Sequence, residues 1–101
     1  MEGTVLKEVY ELLRNIGAVA NEAEFSSDWL GRSECYMRML RFKGIGASTG
    51  SVAIFASKLQ HYGKRMFESS AHCELGKQFL ELSRECHNMI NEEAEVLWLA
   101  A

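Results

Sequence analysis

Proline is absent from this sequence, only three residues are cysteine, and no apolar run approaches the roughly twenty residues needed to cross a bilayer. Without proline no helix is forced to break. The scarcity of β-branched runs, beside abundant Leu, Met, Ala, Glu and Lys, removes the usual signature of strands. An all-α fold of four to five helices follows. Three cysteines are an odd number, and Met1 leads into a charged amphipathic pattern rather than an apolar leader. Cys35, Cys73 and Cys86 are therefore expected as reduced packing residues, not a disulfide framework. The same absences predict a soluble, cytoplasmic protein with no membrane contact. At 101 residues the chain suits a single domain over 1–101, near the size at which association with a second copy helps stability.

Positive charge is also in short supply overall, since the formal net charge is −3. The sign is unevenly spread, however. Residues 1–28 carry Lys7 and Arg14 against six acids, net −4, and residues 66–101 carry Lys77 and Arg84 against seven acids, net −5. Between them, residues 29–65 hold Arg32, Arg38, Arg41, Lys43, Lys58, Lys64 and Arg65 against Glu34 alone, net +6. A charged partner senses the local field within a Debye length of about 8–10 Å, so the middle of the chain is the part suited to phosphate.

Helical spacing of Val5, Val9, Leu12, Leu13 and Ile16 predicts a first helix, with Thr4 as N-cap and Gly17 as a left-handed terminator. After the apolar linker Ala18–Ala20, Asn21 and Glu24 have the form of a capping box. They open a short second helix that buries Phe25, Trp29 and Leu30 and ends at Gly31. Ser33 then stands as N-cap of a third helix with Tyr36, Met37 and Leu40 on its buried side. About three residues of turn separate the two.

Helix, glycine turn, helix is the shape of a helix-turn-helix, whose second helix enters the major groove of DNA. Arg32, Arg38, Arg41 and Lys43 supply donors for phosphate oxygens, and an arginine early on the helix suits a guanine edge. Glu34 opposes phosphate unless it accepts from a cytosine amine. Any helical hairpin with a glycine turn has the same outline, and surface arginines often serve only solubility.

The segment LGRSECYMRML, then RFKG, a short loop and ASTGSVAIFASKL, resembles the Cro and repressor-type helix-turn-helix proteins over residues 5–62. Aligned on Gly31, the resemblance implies base or backbone contacts by Ser33, Glu34 and Arg38. It implies phosphate contacts by Arg32, Arg41 and Lys43, with Met37 and Leu40 in the core. Ser27, where a small alanine is favoured, and bulky Trp29 beside the turn depart from that pattern. Phe25, Ser26, Trp29, Leu30, Gly31, Arg32, Ser33 and Tyr36 also resemble, more closely, a signature of small proteobacterial proteins of unknown function.

Further along, Gly44–Ala47 reads as a flexible connection. Ser48 or Thr49 caps a helix carried by Val52, Phe55, Ala56, Leu59, Tyr62 and Met66. GIGASTG lacks the lysine and the preceding strand of a phosphate-binding loop. At Gly63 the helix either weakens, with a new start at Ser69 or Ser70, or continues as one rod. The expected division is thus a helix-turn-helix-like core over 4–67 and a long amphipathic helix over 70–98. Leu75, Phe79, Leu82, Cys86 and Met89 form the seam of that helix, extended by Val96 and Leu97. The seam either packs on the amino-terminal helices or pairs with a second copy. With Trp98, these residues are the expected dimerisation surface of a homodimer.

His72-Cys73 and Cys86-His87 invite a zinc reading, but fourteen residues of helix separate the pairs by about 21 Å, so one chain cannot bring them to a single ion. No triad or carboxylate pair stands out, and no enzyme, metal or cofactor is expected. Two readings remain. One is a small transcriptional regulator that binds double-stranded DNA through residues 32–43; the other is a helical protein-interaction module, an adaptor or small inhibitor.

Overall fold

Five α-helices, and no strand, are found among the described residues, 2–100, of the computed structural model, with side chains described from Val5 to Ala100. They are α1 (Glu2–Asn15), α2 (Glu22–Glu24, continued by a π-helical turn over Phe25–Trp29), α3 (Tyr36–Lys43), α4 (Thr49–Phe67) and the long carboxy-terminal α5 (Cys73–Ala100). Two compact units divide between Ile54 and Phe55, inside α4.

In the first unit, α1 buries Leu6, Val9 and Leu13, while Val5 and Leu12 are half-buried. Ile16 is exposed because the helix ends before it. Helix α1 already runs from Glu2, so Thr4 lies inside its first turn rather than capping it, and the Thr4 side chain is outside the described residues. Gly17 takes φ +80° as expected. Its N–H donates to the Arg14 carbonyl at 3.1 Å and the Ala18 N–H to that of Leu13 at 2.8 Å, the paired closure that satisfies the last carbonyls of a helix.

The capping box opening α2 is also present, with the Glu24 N–H donating to Asn21 Oδ1 at 3.0 Å. Its reciprocal arm falls one residue early, from the Ala20 N–H to Glu24 Oε2 at 2.7 Å. Phe25 is fully buried and its ring tilts against Tyr10 at 5.5 Å. Gly44, read as part of a flexible connection, instead terminates α3 by the same double closure as Gly17, at φ +67°. Ser48 caps α4, its Oγ accepting the Ser51 N–H at 3.2 Å.

The second unit is an antiparallel hairpin of α4 from Phe55 onward and α5, linked by residues 68–72. Helix α4 neither weakens nor breaks at Gly63, and α5 starts at Cys73 rather than at Ser69 or Ser70. The reason is close packing. A Cβ at Gly63 would lie 3.0 Å from Leu80 Cγ, and one at Gly76 would lie 2.5 Å from the Phe67 nitrogen and 2.8 Å from the Gly63 oxygen. Seven residues along each helix, Ser83 Oγ donates to the Ala56 carbonyl at 2.8 Å. Small residues one heptad apart thus set the register and let the backbones nearly touch.

Candidate nucleic-acid interface

The chain turns between α2 and α3 at Gly31, whose φ of +66° is the left-handed conformation that glycine adopts without steric cost. The preceding turn is π-helical: the Leu30 N–H reaches back to Phe25 O at 3.2 Å, and the Arg32 N–H to Ser26 O at 3.0 Å. That overrun lengthens the connection to residues 30–35, against the three-residue turn expected. Ser33 is consequently not the N-cap of α3. Its carbonyl accepts the Tyr36 N–H at 3.1 Å, its Oγ lies 3.6 Å from Cys35 Sγ, and Cys35 occupies the cap position without a side-chain bond.

Tyr36 explains why α3 starts there. Its ring is buried, and its phenol oxygen accepts the Ser48 N–H at 3.0 Å at the head of α4. Burial pushes this phenol up, but the Ser48 N–H, the Ser51 and Ser48 hydroxyls and the Arg32 charge outweigh it and hold the group below its ordinary value. The Arg32 guanidinium stacks over the same ring, 4.7 Å from its centroid.

Arg32, Ser33 and Glu34 are exposed in the connection, and Arg38, Arg41 and Lys43 are exposed on α3. Arg41 is ion-paired with Glu22, whose carboxylate raises the arginine above its ordinary value. Arg38 and Lys43 make no ion pair among the described residues. Met37 and Leu40 are buried, as the resemblance implied. Sequence reasoning missed Phe42, which is 91% exposed on the outward face with Cys35, Arg38 and Met39. The signal was available, because a helix that buries Tyr36, Met37 and Leu40 turns position 42 to the opposite side. Also missed was a cavity of about 440 Å³ in this unit, with Leu6, Tyr10, Met37, Leu40 and Ala47 on its walls and the Arg41–Glu22 pair at its edge.

Of the residues expected at a dimer interface, Phe79, Cys86 and Met89 are already buried in the single chain and Leu75 and Leu82 are half-buried. Trp98 is exposed, together with Val96, Leu97 and Leu99, each between 65 and 75%. The buried Cys86 thiol is pushed up to about 12 by burial and the neighbouring Glu85 charge, so it stays neutral at physiological pH.

A family profile described as a family of unknown function, DUF6626, matches residues 6–99. The chain belongs to that family. Membership in DUF6626 agrees with the resemblance to small proteins of unknown function and carries no helix-turn-helix assignment. No curated protein and no solved structure matches the chain.

Proposed function

We propose that the chain is a small DNA-binding regulator that presents α3 and the connection before it to a duplex. The observation that supports this most is the exposure of Arg32, Arg38, Arg41 and Lys43 on one contiguous stretch after the Gly31 turn, with Arg38 and Lys43 unpaired among the described residues. In this reading Arg38 is the candidate base contact. Arg41, Lys43 and Arg32 hold phosphates, and Ser33 and Glu34 lie beside the groove from the connection rather than from the helix. The regulator acts in the cytoplasm, performs no catalysis, and reaches a second copy through the exposed last turns of α5.

Fluorescence anisotropy on a mixed-sequence duplex tests it. Affinity falls with salt by about 0.9 log units per log unit of salt for each phosphate neutralised. Arg38→Ala with Arg41→Ala abolishes retention of the duplex while circular dichroism stays unchanged. No binding by the wild-type chain at low salt would remove this reading.

A second reading, an adaptor or inhibitor that binds another protein, draws on Phe42. A phenylalanine 91% exposed on the helix is more at home against an apolar partner than against phosphate.

A further inference from the structure

The outward face of α3 has a definite pattern. Cys35, Arg38, Met39 and Phe42, spaced i, i+3, i+4 and i+7, line a shallow depression of about 330 Å³. The last turns of α5 present the same spacing in Glu92, Glu95, Val96 and Leu99, all exposed. Laid antiparallel, so that like flanks of the two stripes face each other, Arg38 meets Glu95, Met39 meets Val96 and Cys35 meets Leu99. In parallel, equivalent flanks fall on opposite sides of the seam, so Arg38 would lie beside Val96 and Met39 beside Glu95, each charge facing an apolar group. Phe42 opposite Glu92 is the one position without a complement.

We propose that the last two turns of α5 from one copy dock antiparallel on the outward face of α3 of a second copy, through Arg38–Glu95, Met39–Val96 and Cys35–Leu99. The occupant is a second copy because this chain carries both halves of the match. Its tail is acidic, with Glu92, Glu93 and Glu95 preceding the apolar turns, whereas the receiving face has Arg38 with Arg41 and Lys43 beside it. Two acidic tails laid antiparallel on each other would set Glu95 beside the Glu95 of the other copy, which disfavours tail-to-tail pairing of that kind. Apolar burial of Met39, Val96 and Leu99 supplies attraction, and the Arg38–Glu95 pair fixes register. Each contact spans only two turns, so the association is weak, strengthened when two copies exchange tails reciprocally. The inference does not rest on DNA binding. If both hold, tail and duplex compete for Arg38, and self-association masks the reading helix.

A charge exchange in the full-length chain tests this by sedimentation velocity from low micromolar to near-millimolar concentration. Wild type associates. Arg38→Glu and Glu95→Arg each weaken association roughly tenfold, because attraction becomes repulsion in both reciprocal contacts. An equimolar mixture of the two variants regains wild-type association, since each tail then meets an opposite charge, and so does the double variant alone. Circular dichroism confirms the fold of each. A monomeric wild type, single variants that associate as wild type does, or a mixture no better than its components would overturn the proposal. Restored association of the double variant without recovery of duplex binding separates this contact from the DNA reading, which is scored on the duplex alone.

Discussion

Tyr36 is the residue on which the candidate interface hangs, because its phenol joins the start of α3 to the cap of α4 and its ring carries Arg32. Tyr36→Phe keeps the ring but leaves the Ser48 N–H without its acceptor. A loss of about 1–2 kcal/mol in urea unfolding is expected, and wild-type stability would show that the phenol's bonds are dispensable. Cys86 makes the opposite kind of prediction. Its folded value of about 12 lies above the ordinary 9.0, so the folded state holds the proton longer than the unfolded chain. The stability this confers is complete below about pH 9 and is lost as pH rises toward 12, by up to about 1.4 kcal/mol per pH unit from this group. The lowered Tyr36 works in the reverse sense, which is why the comparison is with Cys86→Ala: the variant lacks the alkaline decline attributable to the thiol while Tyr36 is common to both. Equal slopes for the two proteins would contradict a buried neutral thiol.

At the scale of elements, packing overrides local signals in two places. Gly63 beside Lys64 and Arg65 looks like a helix breaker in sequence, yet α4 runs through it because Gly76 needs a partner without a side chain. Gly76→Ala would place a Cβ against the Phe67 nitrogen and the Gly63 oxygen, backbone atoms that cannot step aside, and should cost about 3 kcal/mol in thermal or urea unfolding. A change under about 0.5 kcal/mol would mean the helices are farther apart than described. In α3 the start shifts from Ser33 to Tyr36 because the preceding turn is π-helical, and no residue type announces an i−5 hydrogen bond in advance. What the residues did announce were the terminators and caps: Gly17 and Gly31 at positive φ, Asn21 before Glu24, and Ser48 before α4. The buried sets Phe25, Trp29, Leu30 and Tyr36, Met37, Leu40 were equally legible, since 3.6-residue spacing alone places them. Phe42 belongs to no cap, turn or buried stripe, so only its place on α3 opposite Tyr36, Met37 and Leu40 marks its exposure. The cavity beside Met37 and Leu40 belongs to no single segment, so no local pattern reveals it.

For the whole molecule, charge is the organising fact: a stretch of net +6 lies between segments of net −4 and −5. The first unit places Arg32, Arg38, Arg41 and Lys43 of that stretch at the surface and, among the described residues, commits only Arg41 to an internal ion pair, with Glu22. In the second unit, α5 turns Phe79, Cys86 and Met89 inward and leaves Val96–Leu99 exposed, so the long helix is both a structural strut and a source of contact surface. Its 28 residues span about 42 Å. The central proposal is that the exposed cations of α3 hold a DNA duplex. The most direct measurement is the slope of log affinity against log salt for a mixed-sequence duplex, compared between wild type and Lys43→Ala. A wild-type slope of about −3, with the variant weaker and shallower by nearly one unit, is the expected result for phosphate contacts by Arg32, Arg41 and Lys43. No binding at low salt, or identical slopes for the two proteins, would contradict it.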